Sequence, residues 1–132
     1  MQKNNLLEDY LECILMLQKK NGFAKSIDLS RELGVTKPTV CEMVKRLRDR
    51  DFLYLGDNKC IFLTVKGREI AQKIHEKNIL VEAFLLQIGV SRENAKKEAC
   101  MIGNSISEET LNCLEKLYKS SNFVTYNHKA KL

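Results

Sequence analysis

Residues 26–50 read SIDLSRELGVTKPTVCEMVKRLRDR, and the order of residue types here decides the fold. Ile27, Leu29 and Leu33 supply apolar contacts for a short helix over Ser26–Leu33, with Ser26 placed to cap it and Gly34 to end it. Val35, Thr36 and Lys37 make a tight turn. Pro38 suits the first turn of the next helix, where its missing N–H costs nothing. That second helix extends to about Arg50, with Val40, Val44 and Leu47 as its inward stripe.

Outward from this pair, the pattern stays regular. A helix over 6–20 precedes it, with Leu7, Leu11, Ile14 and Leu15 at helical spacing and Asn21-Gly22 as its stop. Two short β-type runs follow, 52–55 and 60–63, separated by the turn residues 56–59. Thr64 then caps a long helix reaching about Ile88 and ended by Gly89. Ser91 caps another through Ser105, and Ser107 a last one to about Lys119. The expected fold is therefore mainly α. A winged helix-turn-helix of three helices plus a β-hairpin (1–64) is joined by the long helix to an all-α dimerisation domain (65–120), with a polar tail over 121–132.

The 132 residues can bury a core without disulfides or a structural metal. Lys and Arg total 22 against 17 Asp and Glu, a net charge of +5 that favours an anionic partner. The location of that charge matters more: Lys37, Lys45, Arg46, Arg48 and Arg50 outnumber Glu42 and Asp49 along the second helix of the pair. Cys13, Cys41, Cys60, Cys100 and Cys113 form no Cys-x-x-Cys pair, which argues against a zinc knuckle or a thioredoxin-type site. The polar N-terminus lacks an apolar signal core and no apolar run reaches the ~20 residues of a membrane span, so the expectation is a cytoplasmic chain with reduced thiols and no membrane partner. No Gly-rich phosphate loop and no nucleophile–His pair suggest an enzyme.

A helix entering a DNA major groove ~12 Å wide must present small polar side chains at its N-terminal end. Thr36, Lys37, Pro38, Thr39, Glu42 and Met43 are the candidates for that end. Lys45 and Arg46 lie further along, where they meet backbone phosphate, and Lys59 on the hairpin tip can reach the flanking backbone. Double-stranded DNA is thus the expected partner. A homodimer would place two such heads about one DNA turn apart. The apolar surplus at Ile70, Ile74, Leu80, Val81, Phe84, Leu85 and Ile88 offers a dimer face, with Ile74, Val81, Phe84 and Leu85 as its centre; an ordinary core helix would show the same pattern. A winged helix used for protein contacts without DNA is the alternative of a different class.

Glu8-Asp9-Tyr10-Leu11-Glu12, Leu33-Gly34-Val35, Pro38-Thr39-Val40, Met43-Val44-Lys45-Arg46-Leu47 and Leu63-Thr64-x-Lys66-Gly67-Arg68 together resemble the diphtheria-toxin repressor family, in its short manganese-transport-regulator branch. Leu80-Val81-Glu82-x-Phe84-Leu85 and Glu98-Ala99-Cys100 extend the likeness over about residues 6–115. The resemblance implies a homodimeric repressor on operator DNA, activated by Mn(II) or Fe(II). It carries Asp9, Glu12, Glu82 and Cys100 over as metal ligands. The remaining ligand positions depart from the pattern: Asn78 stands where the family has His, Gly103-Asn104 where it has Glu-His, and Lys96 at another His position. His75, one helical turn before Asn78, is a candidate replacement. Cys13 and Met16 share a helix face with Asp9 and Glu12, where a soft site or plain apolar packing are both open. Cys41, beside the expected DNA face, is the candidate for a thiol-sensing regulator.

Overall fold

The computed structural model describes residues 2–120, with side chains from residue 7 onward; the expected tail over 121–132 lies outside the described residues. Along the chain run α1 (Gln2–Asn21), α2 (Ser26–Leu33), α3 (Lys37–Asp49), β1 (Leu53–Leu55), β2 (Ile61–Leu63), α4 (Val65–Gln87), α5 (Arg92–Gly103) and α6 (Glu108–Tyr118). The chain divides into two compact units at Ile74/His75, inside α4.

In the first unit, Tyr10, Leu11 and Ile14 of α1 meet Leu29 of α2, Val40 and Leu47 of α3, and Leu53 and Ile61 of the strands; each is less than 2% exposed. Burying a side chain of this size stabilises by roughly 1.5–3 kcal/mol, which outweighs any helix propensity in the chain. Ala71 and Ile74 of α4 belong to the same core. That is why the first unit continues about one helical segment beyond the boundary expected at 64/65.

Gly34 ends α2 in the left-handed region (φ 66°), its N–H donating to Ser30 O. Ser26 does not cap α2. Lys25 holds the cap position, and its carbonyl accepts from the Asp28 and Leu29 amides. Ile27, expected to supply an apolar contact, is exposed; Leu29 is buried and Leu33 packs partly buried against the core.

The hairpin pairs Leu53 with Leu63, Tyr54 with Phe62 and Leu55 with Ile61, and the Tyr54 and Phe62 rings stack at 5.5 Å. Its turn is a 3₁₀ segment (Asp57–Lys59) in which Asn58 and Lys59 take positive φ. The base of the wing is stitched to the rest of the unit. Ala24 exchanges both backbone hydrogen bonds with Ile61 (3.1 and 2.7 Å), and the Leu63 amide donates to Gln18 Oε1 at 3.1 Å. Where β2 passes into α4, the Thr64 hydroxyl donates to Asp51 O (2.7 Å) and accepts from the Gly67 amide (3.0 Å). Lys66 donates to Arg50 O (3.2 Å) and covers the Phe52 ring at 5.0 Å.

In the second unit, Asn78, Leu80, Val81 and Ala83 of α4 are buried, as are Ala95, Ala99 and Gly103 of α5. Gly89 closes the α4 end at φ 103°. Ser91 and Ser107 cap α5 and α6 by accepting from the Asn94 and Thr110 amides, both at 3.2 Å. Helix α5 ends at Gly103, two residues short of the expected Ser105.

Candidate nucleic-acid interface

Helix α3 buries Val40, Met43, Val44 and Leu47, spaced i, i+3, i+4 and i+7, and turns its other side to solvent. On that open side Thr36, Lys37, Pro38, Thr39, Glu42, Lys45 and Arg46 are all exposed. Thr39, Glu42 and Arg46 follow one another at three- and four-residue spacing, so they share a face. Met43 does not join them. Its side chain is 8% exposed and belongs to the core, because the i+3 step from Val40 carries it inward.

Thr36 has a structural task as well. Its hydroxyl accepts from the Thr39 amide (3.4 Å) and shares a hydrogen bond with Thr39 Oγ1 (2.9 Å), capping α3. Pro38 sits in the first turn, as its lack of an N–H permits. At the exposed start of α3, Lys37 adds its charge to the positive end of the helix dipole, an arrangement suited to phosphate. Lys59 is exposed at the wing tip. Gln18, which holds the wing through the Leu63 amide, carried no sequence signal: an amide in an amphipathic helix reads as surface.

Asp9 and Glu12 lie on α1, half-buried. Burial, then Glu12 and Glu8, push the Asp9 carboxyl up to about 6. Burial pushes the neighbouring Cys13 thiol up to about 12, assisted by Glu32, Glu12, Asp9 and Asp28. Cys13 packs against the core, while Met16 is exposed. Glu82 and Cys100 stand on α4 and α5 of the second unit, Cys100 Sγ lying 3.9 Å from Lys96 O of its own helix. His75 is half-buried on α4. Among the described residues, no three His, Cys, Asp or Glu side chains converge into a group able to hold a metal ion. Around Asn78 and Gly103-Asn104 the neighbour is instead a cation: Lys77 Nζ donates to Asn104 Oδ1 at 3.4 Å.

Of the apolar residues expected at a dimer face, Ile74 and Val81 are buried within the chain (6% and 3% exposed), and Phe84 and Leu85 are half-buried. Ile79, Ile88 and Met101 are more open. Among the described residues, no helix is long and apolar enough to cross a membrane.

Two family profiles match the chain. The iron dependent repressor N-terminal DNA binding domain covers residues 5–59, and the iron dependent repressor metal binding and dimerisation domain covers 64–129. The transcriptional regulator MntR of Escherichia coli O6:H1 is 38% identical over 109 residues, 83% of this chain and 70% of that protein. The HTH-type transcriptional regulator MntR of Geobacillus kaustophilus is 35% identical over 101 residues, 76% of this chain and 72% of that protein. Among solved structures, the manganese regulator SloR aligns with a TM-score of 0.77 at 26% identity, over 89% of this chain and 54% of its own. IdeR from T. acidophilum aligns with a TM-score of 0.78 at 27% identity, over 84% and 53%. The chain thus spans about half the length of these two structures.

Proposed function

Because this chain belongs to the iron dependent repressor family, whose members are transcription regulators and not enzymes, we propose that it represses transcription by gripping operator DNA as a homodimer. The exposed polar and basic side of α3, held rigid by the four apolar residues beneath it, is the observation that carries this reading. Thr39 and Glu42 face base edges, where a hydroxyl bonds either partner and a carboxylate accepts from cytosine N4. Lys37, Lys45 and Arg46 meet phosphates and set the register of the helix on the duplex. Lys59 reaches the backbone beyond the groove. Residues 1–64 read the DNA and 65–120 bring two copies together, with Phe84 and Leu85 contributing contact area and Ile74 and Val81 supporting it from below.

The positions carried over as metal ligands do not fit Mn(II) or Fe(II). Asp9, Glu12, Glu82 and Cys100 remain as donors. Asn78 and Asn104 offer neutral carboxamides where imidazole would supply affinity, Gly103 offers no side chain, and an ammonium already lies on Asn104. No step of the proposed activity is routed through a metal.

The test is retention of DNA from a random-sequence duplex pool, followed by affinity against salt for the enriched duplex. Binding whose log affinity falls with log salt at about −0.9 per phosphate contact supports the reading. Absence of retention at low salt, or a monomer on the retained DNA by analytical ultracentrifugation, sinks it.

A further inference from the structure

Within the second unit, Gly103 of α5 is buried against two side chains of α4. An ideal Cβ on Gly103 would lie 3.0 Å from Asn78 Oδ1, 3.4 Å from Lys77 Cε and 3.5 Å from Lys77 Cγ. The space a side chain at 103 would need is therefore filled by the Lys77 stem and the Asn78 carboxamide. Asn78 is itself only 6% exposed. From there the Lys77 stem carries its ammonium to Asn104 Oδ1, at 3.4 Å and partly buried. Ala95, Ala99 and Gly103, spaced every four residues on α5, are buried and small. The smallest residues of α5 thus face inward, and its last turn closes on a lysine.

We infer that the second unit carries its own resident cation: the Lys77 ammonium, seated on the Asn104 carboxamide over Gly103, ties α4 to α5 and makes this unit independent of Mn(II) or Fe(II). The inference rests on the regulator reading, whose metal-binding family this chain joins. Three features depend on one another. Glycine at 103 leaves room for the lysine stem, Asn104 gives the ammonium an oxygen, and a second cation arriving there would meet like charge. A lysine ammonium is also never released, so the arrangement is a fixed state and not a ligand-dependent one.

The full chain, stripped with a chelator, tests this in two arms. In the first, thermal melting is followed with and without about 1 mM Mn(II), since a ligand bound only by the folded state raises the Tm by mass action. The expected result is an unchanged Tm for the wild type and a Tm lower by roughly 4 °C or more in Lys77→Met, with Lys77→Arg close to wild type. Asn104→Leu leaves every charge in place and reads the same contact from the other side; it should fall likewise. A wild-type Tm raised by Mn(II), or an unaltered Tm in both Lys77→Met and Asn104→Leu, overturns the inference. In the second arm, retention of the random duplex pool is compared in chelator and in Mn(II). Equal retention is expected, and a tenfold gain on adding Mn(II) overturns the inference. Failure to retain DNA under either condition strikes the regulator reading, and the melting arm still decides the resident cation by itself.

Discussion

An ideal Cβ built on Gly67 would lie 1.9 Å from the carbonyl oxygen of Phe52. Two stretches of backbone are in contact there: the first turn of α4, and the segment between α3 and β1. Neither can retreat easily. Thr64 is bonded to Asp51 O, Lys66 to Arg50 O, and the Thr64 amide to Phe52 O at 3.1 Å. The end of α3 is thereby fastened to the start of α4. Gly67→Ala is expected to destabilise the first unit by about 3 kcal/mol, because backbone and not a flexible side chain must move. Urea unfolding checks this, and an unshifted midpoint would disprove the close approach.

Thr36 caps α3, and this role can be separated from the DNA contact proposed for it. Thr36→Ala should cost about 1 kcal/mol of stability through loss of the bond from the Thr39 amide, and Thr36→Ser should restore most of it. Thermal melting without DNA reads this directly. Equal melting of all three proteins would leave Thr36 no role in the cap.

Removal of a phosphate contact flattens the salt dependence of binding for every sequence alike. Arg46→Ala and Lys45→Ala should each reduce the slope of log affinity against log salt by about 0.9. Thr39→Ala should instead change which duplexes are selected. Met43→Leu, a swap of similar volume inside the core, should leave DNA affinity unchanged and stability within about 1.5 kcal/mol. A large loss of affinity in Met43→Leu would return that residue to the interface.

The cysteines should differ in reactivity. Burial holds the Cys13 thiol at about 12, far above working pH, and four carboxylates around it oppose the thiolate further. Cys41 is exposed on α3. Alkylation near neutral pH with peptide mass spectrometry should show Cys41 and the likewise exposed Cys113 modified first and Cys13 spared until the protein unfolds. Bound DNA should protect Cys41. Early labelling of Cys13 would contradict its packing.

Asp9 makes stability depend on pH with a definite sign. Its carboxyl is raised from 3.8 to about 6 in the folded chain, so the folded state holds the proton more tightly than the unfolded one. The ionised form therefore costs stability above pH 6, and this cost fades as pH falls through 6 to about 4. Asp9→Asn should stabilise the protein near pH 7 by about 1–2 kcal/mol, a figure reduced for the partial exposure of the group, and should change little near pH 4. Denaturation at the two pH values checks it; a destabilised Asp9→Asn at neutral pH would mean the charge is favourable where it stands.

The helical order was legible because strong punctuation marks it: Gly34, Pro38, Ser91 and Ser107 each sit where a cap or a first turn requires them. Less legible was anything set by packing between distant segments. Ser26 looks like a cap, yet the helix start is fixed by Leu29 and the Lys25 carbonyl. Met43 reads as a groove residue by its place near the helix start, and only the three-residue step from Val40 sends it inward. The Ala24–Ile61 bridge has no local pattern, since it joins residues 37 positions apart. Nor did residue types reveal that Gly103, Asn78 and Lys77 fit together, because complementarity of an absent side chain with a long stem exists only in three dimensions.

That bridge bears on how this architecture tolerates change. With Ile61 tied to Ala24 and Leu63 to Gln18, the foot of the wing cannot slip in register without breaking bonds to two other segments. Among the described residues, the tip, 57–59, makes no such backbone bonds beyond its own turn. Insertions there would lengthen the arm while its pivot stays put, so the distance reached along a duplex is free to drift between relatives while the angle of the arm is not.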